Sequence, residues 1–252
     1  MVSLQLRTSG GIWLKCGPAA FHIDPGPGAL VKALSSRPRL DPTTLDAVLL
    51  SHRHLDHAND LNIIVEAMTA GTTRKRGRVY LPEDALTGEP VLQSYLRETV
   101  EEVNILKEGG IYQINGIVFT TPVKHTHSVT TFGFSFQLPG GTVSLITDSL
   151  FDERLIEAYR GSRVLIINTV RLKREFYPNL QHLCVPDAEV LIRAIRPETA
   201  ILTHFGMTVL RGKPWVIARE MTERTGTNII AARDGMIFGL DEDPALIRPM
   251  EF

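Results

Sequence analysis

Read for its alternation of apolar and polar positions, the chain opens as strands. "VSLQLR", "GIWLKC" and "AAFHIDP" are short β-rich runs separated by Gly and Pro, and "LDAVLLSH" is a further apolar run that ends in a polar cluster. From Asp56 the period changes. In "DHANDLNIIVEAMTAG" the residues Ile63, Ile64, Ala67 and Met68 recur on a helical period and Gly71 is a stop signal, which predicts a helix. "RVYLP" returns to strand, and residues 89–106 read as helical or mixed. "GIYQINGIVFTTPVKHTHS" reads as a hairpin turning at Asn115-Gly116, and "TFGFSFQLPGGTVSLITDS" as a second turning at Pro139-Gly140-Gly141. Then follow strand "RVLIINTV", helix "VPDAEVLIRAIRP", strand "TAILTHF", a long helix from about Met207, and strands "NIIAA" and "GMIFGL".

Strand-rich, then mixed, then strand-rich again, with helices between, predicts an α/β protein. The layout suits two sheets packed face to face with helices outside, an αββα four-layer sandwich. No repeat, low-complexity tract or linker interrupts the chain, so residues 1–252 are expected to form a single domain. In such a layout the loops at strand ends carry the chemistry.

Composition changes this picture by exclusion. The formal net charge is −1, which argues against a generally basic nucleic-acid binder. There are two cysteines, Cys16 and Cys184, far apart in sequence; ordinary reduced thiols are expected, not a disulfide or a thiol nucleophile. "MVSLQLRTSG" lacks the apolar segment of a signal peptide, and no apolar run approaches membrane-spanning length. The expectation is a cytoplasmic protein with no membrane partner.

The candidate chemistry is concentrated in "LLSHRHLDHAND", residues 49–60, which places three of the eight histidines and an aspartate within six positions. Four further polar residues follow apolar runs: His127, Asp148, His182 and His204. Any one of them alone reads as a satisfied structural residue. Together they form a set of imidazoles and carboxylates that suits zinc, manganese or iron(II), while a thiolate site would need cysteines that these motifs lack. Alternate residues of an extended segment point the same way, so His52 and His54 can grip one ion. Asp56 and His57 then turn toward a second position, a distant histidine completes each ion, and a carboxylate such as Asp148 can bridge the pair at roughly 3.5–4 Å.

The run His52-Arg-His54-Leu-Asp56-His57 resembles the H-x-H-x-D-H signature of the metallo-β-lactamase superfamily. "HSVTTFG", "ITDS" and "LTHFG" follow in that superfamily's order, and "HIDPGPG" resembles its turn ahead of the main motif. The resemblance spans roughly residues 1–240. It implies an αββα fold and two divalent ions, Zn2+ or Mn2+ with Fe2+ also compatible. It assigns His52, His54 and His127 to one ion and Asp56, His57 and His204 to the other, with Asp148 bridging and Asp24 supporting the ligands from behind. His125 competes with His127 for the third motif; the pattern beginning "H-S" and leading to Gly133 favours His127.

Among the superfamily's branches these motifs most resemble ribonuclease Z and the phosphoribosyl cyclic phosphodiesterases. The secreted β-lactamases, the flavo-diiron proteins (Glu in place of His54) and the glyoxalase-II-type thioesterases (a different third motif) fit less well. The resemblance thus implies a phosphodiesterase in which a metal-bridging hydroxide attacks a small cyclic phosphodiester or a nucleotide-like substrate. Asp56 would orient the hydroxide or act as general base, and His182 would donate a proton or contact phosphate. Arg171 and Lys173 are candidate phosphate contacts, with solvated loop charges as the alternative. The basic run Arg74–Arg78 follows a helix C-terminus, where cations suit the helix dipole, and no long Gly/Pro-rich insertion of the tRNA-gripping kind is present. A small phosphorylated substrate is therefore favoured over nucleic acid. The alternatives are a sugar-phosphate lactonase, a tRNA-processing endoribonuclease, or a metal-binding protein without turnover. A homodimer is suggested by analogy alone.

Overall fold

The first part of the chain forms a five-stranded sheet: β1 (Ile12–Cys16), β2 (Ala19–Ile23), β3 (Ala47–Leu49), β4 (Arg78–Leu81) and β5 (Glu102–Ile105), in that spatial order. The computed structural model describes residues 9, 11–174 and 180–240, so "VSLQLR" lies outside the described residues. β1 and β2 form an antiparallel pair, and β2 to β5 run parallel. Parallel neighbours need crossovers. Helix Ala29–Ser35 lies between β2 and β3, and helices Leu55–Ala58 and Leu61–Met68 lie between β3 and β4.

The helix predicted from Asp56 thus starts at Leu55 and is interrupted at Asn59-Asp60. There the backbone is tied elsewhere: Asp60 N donates to Pro25 O, and Asp60 Oδ2 accepts from Leu30 N. The turn "DPGPG" and the interruption hold each other. Leu61, Ile64, Val65 and Met68 then pack against Val48, Leu50, Val79 and Leu81 in one apolar core, where each fully buried Leu or Ile contributes roughly 1.5–3 kcal/mol. The 89–106 region resolves into a single helical turn, Ser94–Arg97, and β5.

The second sheet has seven strands: β6 (Gly110–Ile114), β7 (Ile117–Thr121), β8 (Phe134–Leu138), β9 (Gly141–Ile146), β10 (Val164–Asn168), β11 (Thr199–Thr203) and β12 (Asn228–Ala231). Its spatial order is β12-β11-β10-β9-β8-β7-β6. The β6–β7 turn has Asn115 at φ 48° and Gly116 at φ 84°, the left-handed pair that a two-residue hairpin requires. β8 and β9 pair from Leu138 opposite Gly141, which leaves Pro139-Gly140 as the turn. β9 to β12 are parallel, and helices Val185–Ile195 and Pro214–Thr225 supply crossovers. Leu191, Ile192, Ala218 and Met221 of these helices share a core with Leu165, Ile167 and Leu202 of the sheet.

Two expectations fail here. The long helix from Met207 is two helices, Met207–Arg211 and Pro214–Thr225. Between them Lys213 takes a left-handed φ of 60°, and Pro214 has no N–H to continue the first helix. "GMIFGL" forms no strand: the chain turns at Asp234-Gly235 after the last rung, Ala232 N to Leu202 O.

Two compact units divide the chain. One runs to Lys107 and adds Gln113–Ile117 and the stretch from Asp234; the other is Glu108–Tyr112 with Val118–Arg233. Each has its own apolar core. Among the described residues no helix is long and apolar enough to cross a membrane.

Candidate metal centre

In the first unit the C-terminal ends of parallel neighbours β2 and β3 lie side by side, and polar residues follow both. Asp24 follows β2, and Ser51 and His52 follow β3; Asp24 N donates to Leu49 O at 2.9 Å, extending the ladder by one rung. Asp24 has φ 54°, a left-handed conformation that Asp tolerates better than most residues. Its carboxylate is buried and accepts three bonds: Ser51 N at 2.6 Å, Ser51 Oγ at 2.7 Å and His57 Nδ1 at 2.9 Å. A carboxylate partner fixes the proton on His57 Nδ1 and leaves the lone pair on Nε2, the usual arrangement behind a metal-ligating histidine. Around His57 stand His52 (ring centroids 4.1 Å apart) and, next to His52, His54 (4.8 Å). Asp56 Oδ2 lies 4.0 Å from His57 Nε2. Two donors at that separation can share one ion whose bonds are about 2.0–2.2 Å long.

In the second unit the same device recurs on β9, β10 and β11, whose parallel C-terminal ends deliver Asp148, Asn168 and His204. Asp148 is 2% exposed; its Oδ1 accepts from Asn168 Nδ2 at 2.9 Å and lies 4.0 Å from His204 Nε2. Its Oδ2 lies 3.3 Å from His182 Nδ1. His204 has φ 57°, so this strand-end ligand candidate and the supporting Asp24 of the first unit each sit in left-handed backbone, the kind of local strain that clusters at functional sites. His127 lies beside His182, with ring centroids 5.3 Å apart and the planes tilted by 57°, and its Nδ1 lies 2.9 Å from Gln181 O. A carbonyl only accepts, so His127 carries its proton on Nδ1 and presents Nε2 as a lone pair.

His125 is accounted for differently. Thr147 Oγ1 donates its only hydrogen to Phe132 O at 2.9 Å, so it accepts from His125 Nδ1 at 3.1 Å. The ring's Nε2 is then the acceptor for Tyr159 Oη at 2.8 Å. Burial pushes the Tyr159 phenol up, keeping it a donor, and pulls His125 down to about 4. Both nitrogens are spent on the fold. Gly133 completes this cluster, because a Cβ there would lie 2.2 Å from Tyr159 Oη and 2.4 Å from Leu145 O.

Arg171 is pinned by its backbone, with N donating to Leu183 O and O accepting from Val185 N, while Lys173 is exposed. In the basic run, Arg76 donates to Thr43 O and Leu45 O, and Arg78 pairs with Glu101 and Glu102. Those two cations serve the fold. The sequence reading missed Ser51, Asn168, Gln181 and Tyr159. Asn168 carried the same signal as Asp148, a polar residue closing an apolar strand. Ser51 sits directly ahead of the histidine cluster. Tyr159 and the Gln181 carbonyl left no sequence signal.

The donor set is imidazole and carboxylate, with no sulfur, and His57 and His127 present Nε2 as the available lone pair. It fits zinc, manganese or iron(II). Comparison with known proteins gives the family and the fold. The family described as "Beta-lactamase superfamily domain" matches residues 20–205. The uncharacterized protein MJ1374 of Methanocaldococcus jannaschii is 34% identical over 242 residues, covering 92% of this chain and 87% of that protein. The metallo-beta-lactamase fold protein YhfI from Bacillus subtilis is structurally similar at a TM-score of 0.71 with 18% identity, covering 88% of each chain. A diphosphatase from the PhnP family gives 0.65 with 20% identity, covering 88% of this chain and 80% of that one. At these identities the two structures speak to fold.

Proposed function

The chain belongs to the beta-lactamase superfamily and has the metallo-β-lactamase fold, and from that premise we propose that it is a metal-dependent hydrolase, a dinuclear phosphodiesterase acting on a small cyclic phosphodiester or nucleotide-like substrate. Under this reading His52, His54 and His127 would hold one ion, Asp56, His57 and His204 the other, and Asp148 would serve both. The observation that carries the reading is the fixed tautomer of the buried and half-buried histidines: Asp24 and Gln181 O commit Nδ1 of His57 and His127, and so set Nε2 aside for an ion. What favours phosphorus over carbon as the reacting centre is the motif set "HSVTTFG", "ITDS" and "LTHFG", together with the diphosphatase among the similar structures.

Divalent ions held there would supply Lewis acidity, which activates water near neutral pH and offsets negative charge on a phosphate. Asp56 accepts the proton of the attacking water. His182, with Nδ1 turned toward Asp148, delivers a proton from Nε2 to the leaving oxygen. The new P–O bond forms as the bond to the leaving group breaks, and protons balance between these two residues. Arg171 and Lys173 complement the phosphate charge.

The test is turnover of bis(p-nitrophenyl) phosphate, a sugar-phosphate lactone and a thioester by the zinc- or manganese-loaded protein. Phosphodiester hydrolysis, falling at least about 100-fold in His182→Ala, is the expected result. Activity on the lactone alone would assign the protein to carbonyl chemistry and overturn the reading.

A further inference from the structure

Ser51 lies inside the hydrogen-bond network of the first unit, and its donors and acceptors can be counted completely. The Asp24 carboxylate offers only lone pairs when ionised. Ser51 Oγ, 2.7 Å from Asp24 Oδ2, therefore spends its single hydrogen on that carboxylate. The same oxygen lies 2.9 Å from His52 Nδ1. With its hydrogen already committed, Ser51 can only accept there, so His52 must carry its proton on Nδ1 and its lone pair on Nε2. The chain of contacts runs His57–Asp24–Ser51–His52 without a break. All four residues are buried, and Ser51 is 0% exposed. Its backbone N–H also donates to Asp24 Oδ1 at 2.6 Å, so the hydroxyl has little freedom to swing away.

We propose that Ser51 is a positioning residue that carries the influence of Asp24 from His57 to His52, so that one buried carboxylate orients one ligand of each metal ion. The proposal rests on the dinuclear reading above for its consequence and on the hydrogen-bond count alone for its mechanism. Asp24 acts on His57 directly and on His52 through the serine hydroxyl. Loss of the hydroxyl releases His52 while leaving the His57–Asp24 contact and the Ser51 N–H bond in place. Loss of the carboxylate's charge loosens both. A threonine at 51 keeps the hydroxyl and restores the link.

The experiment compares wild type, Ser51→Ala, Ser51→Thr and Asp24→Asn as full-length chains. Long-range proton–nitrogen NMR of the imidazoles reports which nitrogen carries the proton, both on the protein as purified and after chelator treatment. Competitive zinc titration against a chromogenic chelator reports the two affinities. The expected result is a protonated His52 Nδ1 in wild type and Ser51→Thr, and a mixed tautomer at His52 with an unchanged His57 in Ser51→Ala. In the titration, one affinity falls about 10- to 100-fold in Ser51→Ala, the other stays within about twofold, and Asp24→Asn weakens both. An unchanged His52 tautomer in Ser51→Ala overturns the proposal, as does a Ser51→Thr protein that behaves like the alanine variant. If wild type binds fewer than two ions, the dinuclear reading falls, and the tautomer measurement still decides whether Ser51 makes the link.

Discussion

His125 and His127 stand two residues apart on one loop and are held for opposite ends. His127 is partly exposed and has one nitrogen committed to Gln181 O, whereas His125 is 3% exposed with both nitrogens engaged by Thr147 and Tyr159. The difference has a pH consequence. In the unfolded chain His125 takes a proton near 6.5; burial lowers it to about 4 in the fold. Between these values the unfolded state binds more protons, so stability falls as pH drops through that window. The loss attributable to His125 by pH 4.5 is about 2–3 kcal/mol. Urea unfolding of chelator-treated protein at pH 7 and pH 4.5 measures it, and His125→Gln should show the smaller drop; equal drops would remove His125 as the cause. At this scale the sequence showed the H-x-H-x-D-H run plainly, because its donors are neighbours in the chain. It did not show Tyr159, whose role is created by packing 34 residues away from His125.

Helix Val185–Ile195 shows what an element's sequence can hide. Cys184 is its N-cap, an unusual residue in that position, and Asp187 closes a capping box by accepting from Cys184 N at 3.0 Å and Cys184 Sγ at 2.9 Å. Arg174 donates to the same carboxylate's other oxygen. Burial, then the bond to Asp187, pushes the Cys184 thiol up to about 11. It is accordingly a structural thiol and a poor nucleophile at neutral pH. Asp187→Ala should cost about 1–2 kcal/mol in thermal unfolding and make Cys184 label faster with a thiol reagent; unchanged stability and labelling would show the cap to be idle. Most elements were legible from period and turn chemistry, the Asn115-Gly116 hairpin above all. The break before Pro214 was written in "RGKPW", where a proline cannot continue the preceding helix. "GMIFGL" misled for a different reason: its alternation is real, but no strand pairs with it among the described residues after the turn at Asp234-Gly235.

Across the whole molecule one arrangement is used twice. In each sheet, parallel strands end together and the residues just beyond them carry the imidazoles and carboxylates: Asp24 and His52 after β2 and β3, and Asp148 and His204 after β9 and β11. Strand order and direction, which the sequence pattern does not reveal, bring these positions together within each sheet. The family resemblance was legible because five motifs occur in sequence order; substrate identity was not, because no motif encodes the surface that meets the leaving group. Ions that bind only the folded chain stabilise it by mass action. Counting ions therefore tests the dinuclear centre most directly. Metal content per chain is measured after dialysis into metal-free buffer, for wild type and for Asp148→Asn, with circular dichroism confirming that both are folded. About two ions are expected in wild type, with a clear loss in the variant. One ion or none in wild type, restored by neither zinc nor manganese, would contradict it.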